Sequence, residues 1–319
     1  MKILQVNCVY RKGSTGKIVC DIHNELQHKS EESVVCYGRG ANITEDNVYK
    51  TCGELYSKIN NLISRFTGVM YGGCFFSTNK LISVIKKENP DIVHLHCING
   101  YFVNIYRIVK WLKENKIKTV LTLHAEFMYT ANCGHALDCE RWKNGCGNCP
   151  RLKKETKSIL FDKTGLSWQK MRNAFKNFDS LKVVAVSEWI ASRAKQSTFL
   201  ADKEISVIYN GIGTECFGGV RDTSIENALK KKYNIPEDKT IILHVTPNFY
   251  DPIKGGKYFA ELSKILPQQY QSIVIGTANI ESDHIISIPF LSDQSELATF
   301  YKMADALVIT SRCDTYPTV

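Results

Sequence analysis

Short apolar runs alternate with amphipathic stretches along this chain, and no other feature of the sequence constrains its fold as strongly. The runs are apolar nearly throughout, which is typical of parallel strands buried on both faces. The stretches between them repeat apolar side chains at helical spacing, as in residues 104–115. Alternating strands and helices predict an α/β fold with a doubly wound parallel sheet. The first series of strands is predicted at residues 3–7, 33–38, 91–96, 119–124, 182–187 and 205–210.

A glycine-rich stretch at residues 210–220 interrupts the alternation, and a second series then begins. The sequence therefore predicts two Rossmann-like domains, over residues 1–212 and 213–319. We expect the second domain to be incomplete, because no helix follows its last strand. Two such sheets facing each other would form a cleft, with ligands at the carboxyl ends of the strands. The strands of the second domain are predicted at residues 240–245, 272–276, 285–290 and 306–311.

The charge balance favours an anionic partner. The chain has 41 basic and 32 acidic residues and a net charge of +9, which suits a phosphate-bearing substrate, a nucleic acid or an acidic membrane surface. We expect no nucleic-acid partner, because the sequence contains no recognisable nucleic-acid-binding motif.

The distribution of apolar residues bears on location. No apolar run approaches the roughly 18 residues that span a bilayer, and the strand pattern begins at once, without a signal peptide. We therefore expect a cytoplasmic protein. An apolar stripe in the helix predicted at 59–70 would allow peripheral contact with the inner face of a membrane, with core packing as the alternative. The stripe consists of Ile59, Leu62, Ile63, Phe66 and Met70.

The segment RKGSTGKI follows the first predicted strand and looks like a phosphate-binding loop. A P-loop requires a glycine and a hydroxyl where this chain has Arg11 and Ile18, which argues against an ATPase or GTPase. What remains is a turn in which Gly13 and Gly16 let helix amides approach an anion. A plain strand-to-helix turn is the alternative.

Twelve cysteines in a chain without an export signal predict thiols or metal ligands rather than disulfides. Four of them lie in a cysteine-rich insertion at about residues 130–150, with the spacing C-x5-C-x6-C-x2-C: Cys133, Cys139, Cys146 and Cys149. A C-x2-C pair in a glycine-containing turn is a frequent half of a zinc site, and four thiolates complete a tetrahedron. We expect structural zinc here. His135 as a replacement ligand, redox-sensitive thiols and a disulfide are the alternatives.

Six segments, in order along the chain, resemble those of retaining glycosyltransferases of family four, which have the two-Rossmann-domain fold called GT-B. More narrowly, the chain is similar to bacterial enzymes of exopolysaccharide, capsule or colanic-acid assembly. The segments are GSTG, TLHAEFMYT, the cysteine-rich stretch, VVAVSEW with VIYNGI, PIKGGKYF and YKMADALVITSRCDTYPTV.

This resemblance implies a hexosyltransferase-type enzyme of surface polysaccharide synthesis. It would move a sugar from a UDP- or GDP-linked donor to a glycan or lipid-linked acceptor, with retention at the anomeric carbon and without a catalytic metal. The donor would bind mainly to the C-terminal domain and the acceptor mainly to the N-terminal one. The alternative is a nucleotide- or glycan-binding module with impaired catalysis. A missing G-x-G-x-x-G motif argues against an NAD-dependent epimerase.

The resemblance also assigns three catalytic residues. Lys254 would face the leaving diphosphate, where negative charge develops in the transition state, or it is a solvated lysine before a turn. His124 would lie near the transferred sugar, or it caps a buried strand. Asp314 matches the first acidic residue of the family's two-glutamate motif, or it is a turn or N-cap residue. The second glutamate would fall beyond Val319.

Further residues complete the site that the resemblance implies. The acceptor side would include His96 beside His124, with packing as the alternative for His96. The family commonly has a second cation where this chain has Asn248. The donor-binding set is Gly13, Gly16, Asn248, Lys254, Gly276, Leu291, Tyr316 and Thr318.

Overall fold

Two parallel β-sheets, one in each half of the chain, organise the fold. The computed structural model describes residues 1–211, 217–218 and 220–317. The chain divides into two units, Met1–Gly211 and Ile212–Val319, and each contains one of the sheets. The predicted α/β class with Rossmann-like parallel sheets is therefore confirmed.

Seven strands form the sheet of the first unit. They are β1 (Lys2–Asn7), β2 (Glu32–Tyr37), β3 (Val48–Lys50), β4 (Ile92–Leu95), β5 (Thr119–Leu123), β6 (Leu181–Ala185) and β7 (Ile205–Val207). Their order is β3-β2-β1-β4-β5-β6-β7, and all neighbours are parallel. Six were predicted. The edge strand β3 was missed because its three residues, Val48, Tyr49 and Lys50, do not lie in an apolar run.

Eight α-helices connect these strands: α1 (Gly13–His28), α2 (Glu54–Thr67), α3 (Phe75–Glu88), α4 (Ile105–Glu114), α5 (Phe127–Thr130), α6 (Leu152–Glu155), α7 (Thr164–Phe175) and α8 (Glu188–Ala194). The predicted helix at 104–115 is α4. The side chain of Asn104 caps it by accepting a 3.0 Å hydrogen bond from the amide of Arg107. Its apolar stripe is buried, so its position follows from capping and burial together.

The helix predicted at 59–70 is α2, and its bounds differ from the prediction. It begins at Glu54 and ends at Thr67, because Gly68 adopts a left-handed conformation (φ 73°) that terminates the helix. Met70 thus lies beyond the helix and is buried, whereas the rest of the predicted stripe is exposed. Core packing, the alternative considered for this stripe, holds for Met70 alone.

The second unit contains a four-stranded parallel sheet with the order β10-β9-β8-β11, built from β8 (Thr240–Val245), β9 (Tyr270–Ile275), β10 (Ile285–Ile288) and β11 (Ala306–Leu307). Its helices are α9 (Thr223–Lys232), α10 (Gly256–Ile265) and α11 (Gln294–Met303). Side chains alternate along β8, so that Leu243 packs on one face and Ile242 on the other. Both faces are therefore buried, as the uninterrupted apolar strands predicted. The strands β10 and β11 are shorter than predicted.

Both sheets share one topological feature. In the first unit, the chain places β2 and β3 on one side of β1 and then returns to place β4 on the other side. In the second unit, β9 and β10 lie on one side of β8, and β11 lies on the other. Each sheet thus has a switch point, where strand order reverses, and ligands of such folds bind beyond the carboxyl ends of the two strands there.

None of the helices that the structure describes has both the length and the apolar character needed to cross a bilayer.

Candidate functional site

The switch point of the first sheet lies between β1 and β4, and Asn7 connects the segments that follow these strands. Its Oδ1 accepts a 3.0 Å hydrogen bond from the amide of Cys97, directly after His96. Its Nδ2 donates to the carbonyl of Val9 (2.7 Å) and to the hydroxyl of Thr15 (3.4 Å). Asn7 was not among the site residues predicted from the sequence. A polar residue at the end of an apolar run was the available signal, since such a residue, here fully buried, needs hydrogen-bond partners within the fold.

The predicted glycine loop forms the start of α1. Gly13 begins the helix with a φ of 67°, which a residue with a side chain rarely adopts. A Cβ on Gly16 would lie 3.1 Å from Cγ2 of Val9, so the helix approaches the preceding segment closely. First-turn amides lack partners within a helix and favour an anion. A phosphate at this loop stays a prediction, because a plain turn has the same geometry.

Three histidines lie at the ends of β4 and β5. Nδ1 of His96 lies 3.2 Å from Nε2 of His124, and the two rings are stacked. The ring centroid of His94 lies 3.9 Å from that of His96, and its Nε2 lies 2.7 Å from the hydroxyl of Thr122. The structure therefore brings together the two histidines predicted for the acceptor side.

Burial keeps these imidazoles neutral. It lowers the pKa of His124 to about 4, and burial together with the charge of His124 lowers the pKa of His94 to about 4. The pKa of His96 falls well below its usual value, mainly through burial and then through the two neighbouring rings. Neutral imidazoles offer one hydrogen-bond donor and one acceptor each. Such rings can hydrogen-bond a ligand, but they carry no charge with which to stabilise an anion.

The switch point of the second sheet lies between β8 and β11, and an ion pair spans the loops that follow these strands. Nζ of Lys254 donates a 2.9 Å hydrogen bond to Oδ2 of Asp314, and both side chains are partly buried. The hydroxyl of Thr310 donates to the carbonyl of Lys254 (3.1 Å), and the amide of Arg312 donates to the carbonyl of Ile253 (2.8 Å). The structure thus brings Lys254 and Asp314 together.

Two glycines permit this close approach of the loops. Gly255 has a φ of 70°, and a Cβ built on it would overlap the carbonyl oxygen of Thr310. A Cβ on Gly256, the first residue of α10, would overlap the carbonyl oxygen of Phe249. Lys254 is therefore held immediately before a helix N-terminus, where amides and macrodipole favour negative charge.

A cavity of about 750 Å³ lies within the second unit beside the loop of Lys254, although neither Lys254 nor Asp314 lines it. It lies between the loop that precedes α10 and the segment 280–284. Gly255 and Arg312 form part of its wall. Its other charged lining residues are Asp251, Lys257, Lys264, Glu281 and Asp283. The volume is typical of sites for small ligands and cofactors.

Arg312 is the second residue that the analysis of the sequence missed. Its exposed side chain lines the cavity, and its backbone pairs with the residue before Lys254. The position two residues before Asp314 was the available signal. By contrast, Asn248 lies where the family commonly has a cation, and its Oδ1 accepts a hydrogen bond from the amide of Tyr250 (3.2 Å), within its own loop.

The remaining predicted donor-binding residues lie in different environments. Gly276 follows β9 with a φ of 110°, and a Cβ there would overlap the carbonyl oxygen of Thr246. Leu291 is half-buried against the apolar cluster of the second unit. Tyr316 is half-buried in the segment after Asp314. Thr318 lies outside the described residues.

The four cysteines of the insertion are free thiols on the segment between α5 and α7. Cys133 is buried, and the other three are half-buried. Burial raises the pKa of Cys133, and the charges of Glu155 and then of the other three thiols raise it further. Burial also raises the pKa of Cys146 to about 11. The four sulfurs are thus within electrostatic range of one another.

Comparison with known proteins identifies the family. Residues 16–215 match the family model described as Glycosyltransferase Family 4. Along its whole length, the chain is 23% identical to WcaC of Escherichia coli strain K12 and covers 80% of that protein. The name of WcaC assigns it to colanic acid biosynthesis as a glycosyl transferase.

Solved structures share the fold. Sucrose-phosphate synthase of Thermosynechococcus elongatus matches 99% of this chain and 77% of its own, with a TM-score of 0.62 and 12% identity. WaaG, a glycosyltransferase involved in lipopolysaccharide biosynthesis, matches 97% of this chain and 75% of its own, with a TM-score of 0.61 and 10% identity. HepE of Anabaena, solved with UDP-glucose, matches 99% of this chain and 75% of its own, with a TM-score of 0.58 and 13% identity.

At these identities the solved structures establish the fold alone. The family model, however, covers well over half of the residues, including both strand ends that carry the paired histidines. The chain belongs to glycosyltransferase family 4.

Proposed function

We propose that this protein is a retaining hexosyltransferase of surface polysaccharide synthesis. It transfers a sugar from a UDP- or GDP-linked donor to a glycan or lipid-linked acceptor at the cytoplasmic face of the membrane. Membership of the family supports this proposal, as do the name of WcaC and the HepE structures that contain UDP and UDP-glucose. The observation that carries it is the ion pair between Lys254 and Asp314 at the second switch point.

On the donor side, two cations lie at the loop before α10, where a diphosphate would bind. Lys254 precedes the N-terminus of α10, and Arg312 lines the adjoining cavity. The leaving diphosphate gains charge in the transition state, so cations and amide dipoles held in place beforehand lower the barrier. Arg312 takes the part of the second cation that Asn248 cannot supply. Asp314 orients the ammonium of Lys254.

On the acceptor side, the reaction needs positioning more than a strong base. The bond between the anomeric carbon and the diphosphate oxygen breaks, and the acceptor hydroxyl oxygen forms the new bond to that carbon. Retention places both oxygens on one face of the sugar, so the departing diphosphate can accept the hydroxyl proton. Neutral His124, which is half-buried, would hydrogen-bond a sugar hydroxyl and hold it in position, and the buried His96 would orient the His124 ring. Positioning of this kind supplies much of the rate enhancement.

An exposed apolar face on α2 supports a lipid-linked acceptor. Its five large apolar side chains are between 46% and 73% exposed, and they are Leu55, Ile59, Leu62, Ile63 and Phe66. They lie three or four residues apart, on one side of the helix. A solvent-exposed stripe of this size on a well-formed helix is typical of a surface that binds membranes or another protein.

A second apolar segment extends this face. The amide of Ile159 donates a 2.8 Å hydrogen bond to the carbonyl of Arg65, so the exposed side chains of residues 159–161 lie at the end of α2. Five lysines within these segments or a few residues from them along the chain are also exposed: Lys58, Lys153, Lys154, Lys157 and Lys163. Exposed apolar residues with lysines close in sequence match an anionic lipid surface. We call residues 55–66 and 159–161 the apolar face.

The donor assignment is tested by calorimetric titration of UDP, GDP and their common sugar conjugates into the protein. We expect one nucleotide to bind, and Lys254→Ala to weaken binding at least severalfold. Lys231→Ala, which removes an exposed lysine from α9, is the matched control and should bind normally. If no nucleotide binds, or if the two variants bind it equally well, the donor site does not lie at this loop.

The alternative function, a binding module without catalysis, gives a different result. It would bind the nucleotide through Lys254 but release no free nucleotide from the sugar conjugate in the presence of acceptor. Product release measured with the same variants therefore separates the enzyme from the module.

A further inference from the structure

The segment from Ala131 to Lys163 is the largest feature of the first unit that sugar transfer does not explain. It contains only a short 3-10 turn (Arg141–Lys143) and the four-residue helix α6. Trp142 anchors it in the core, and loops of this length with so little regular structure usually have a function of their own. Four of its side chains are cysteines, and none of them forms a disulfide in the structure.

Thr130 brings the first and third cysteines to one place. Its hydroxyl accepts a hydrogen bond from the amide of Cys133 (3.1 Å) and donates to the carbonyl of the same residue (2.9 Å). Its own carbonyl accepts a hydrogen bond from Sγ of Cys146 at 3.9 Å. Two cysteines that are thirteen positions apart by their numbering thus meet around the end of α5.

Arg141 brings the second cysteine to the same region. Its Nη1 donates to the carbonyls of Gly147 and Asn148, at 2.8 Å each, inside the Cys146–Cys149 turn. Two residues before it, the carbonyl of Cys139 accepts a 2.8 Å hydrogen bond from Nε1 of the buried Trp142. The segment of Cys139 is therefore fastened to the turn that carries the last two cysteines.

The Cys146–Cys149 turn has the backbone of a tight knuckle. Gly145, Gly147 and Asn148 all have positive φ, at 144°, 135° and 46°. The amide of Cys149 donates to Oδ2 of Asp162 at 2.5 Å, which holds the turn against the start of α7. Such a turn presents two thiols on one side, as a C-x2-C half-site requires.

We propose that Cys133, Cys139, Cys146 and Cys149 bind one zinc ion as four thiolates. Binding displaces four thiol protons and leaves a site of net charge −2, and the guanidinium of Arg141 lies at the Cys146–Cys149 turn. Four thiolates leave no open coordination position, so the site is structural. It holds the insertion in place against α5 and does not depend on the proposed donor site.

Coordination requires the insertion to contract. No three of the four sulfurs, all on described residues, lie within 4.8 Å of one another. Sulfurs bound to one zinc lie roughly 3.8 Å apart, given a zinc–sulfur distance of about 2.3 Å. Metal binding should therefore tighten the insertion, and a chelator should loosen it.

The test is metal analysis of the full chain, purified under reducing conditions from medium containing zinc. We expect one zinc per chain, and cobalt in its place should give the sulfur-to-cobalt charge-transfer bands of a tetrahedral four-thiolate site. Cys146→Ser should lose the metal and its bands, whereas Cys20→Ser, a half-exposed cysteine of α1, should keep both. His135→Ala should also keep both if the fourth ligand is a cysteine.

Three results would overturn the proposal. The first is wild-type protein that contains less than a tenth of an equivalent of zinc and shows no cobalt bands. The second is a Cys146→Ser variant that contains as much metal as the wild type. The third is a denatured protein with two fewer titratable thiols than it has cysteines, which would indicate a disulfide. Tryptophan fluorescence and nucleotide binding are measured in parallel, to separate loss of the metal from loss of the fold in Cys146→Ser. A folded, nucleotide-binding Cys146→Ser without zinc supports the site. If that variant unfolds, the metal content and cobalt spectrum of the wild type decide.

Discussion

Lys254 and Asp314, sixty positions apart in the sequence, are joined by a 2.9 Å hydrogen bond between Nζ and Oδ2. The pair connects the loop before α10 with the loop after β11. It lies where the order of strands reverses in the second sheet, so two loops distant in sequence meet at the edge where folds of this type bind ligands.

Removing either member of this pair should weaken nucleotide binding by different amounts. A hydrogen bond to a charged group contributes about 1.5–3 kcal/mol, so we expect Lys254→Ala to raise the Kd for the nucleotide roughly ten- to a hundredfold. Asp314→Asn keeps the cation and should have a smaller effect. Calorimetry on both single variants and the double variant measures their coupling. Additive effects would show that Asp314 does not orient Lys254.

Arg312→Ala should also weaken nucleotide binding, and the loss should come from the contact with the donor phosphates. Arg312 lines the cavity next to Lys254 and can contact two phosphate oxygens at once. We expect the Kd of the Arg312→Ala variant for UDP or GDP to rise several-fold and its Kd for the nucleoside to stay unchanged. An equal loss for nucleoside and diphosphate would place Arg312 against the base or ribose instead. Arg221→Ala, an arginine of the same unit that does not line the cavity, is the control.

Acid should destabilise the first unit because its three strand-end histidines stay neutral. Their pKa values are lowered from 6.5, to about 4 for His94 and His124, so the unfolded chain binds protons that the folded chain does not. Stability is therefore complete above pH 6.5 and is lost as the pH falls toward 4, by up to about 1.4 kcal/mol per pH unit for each histidine.

Urea unfolding at pH 7.5 and pH 5 measures this loss. All four tryptophans lie in the first unit, so their fluorescence reports its unfolding. His94→Gln should reduce the difference between the two pH values, whereas His28→Gln, an exposed histidine of α1, should leave it unchanged. If His94→Gln shows the same pH dependence as the wild type, the loss of stability in acid does not come from His94.

Gly255→Ala should disrupt the donor loop. The substitution adds a Cβ where the carbonyl of Thr310 already lies and forces a side chain into a left-handed φ, which costs about 1–2 kcal/mol before the overlap is counted. We expect faster hydrogen exchange in α10 and weaker nucleotide binding. Gly53→Ala, whose Cβ would meet nothing within 4 Å, should change neither. Unchanged exchange in Gly255→Ala would show that the loop relaxes without cost.

The apolar face should bind anionic membranes. The double variant Leu62→Ser, Phe66→Ser removes two exposed apolar side chains, and we expect it to lose most of its binding to vesicles of anionic phospholipid in a flotation assay. Ile225→Ser, an equally exposed residue of α9, is the matched control. Wild-type protein that fails to float with anionic vesicles, or floats equally well with zwitterionic ones, would exclude the proposed surface.

The sequence alone determined the α/β class and most element positions. Buried parallel strands must be apolar along their length, and a helix on a sheet must repeat its apolar residues every three or four positions. Both patterns are local, so α4 and nearly all the strands could be predicted from the sequence. Gly13 and the Cys146–Cys149 turn were legible for the same reason, because left-handed backbone selects glycine and C-x2-C is a short motif.

Only the tertiary structure decided which of these residues meet. The pairing of Lys254 with Asp314, the place of Arg312 in the cavity wall and the connection made by Asn7 all depend on strand order. The exposure of α2 does as well, because an amphipathic stripe has the same sequence whether it faces a core or a solvent. Side-chain periodicity is a property of a single segment, whereas contacts across a switch point require two segments distant in sequence to be placed side by side by the sheet.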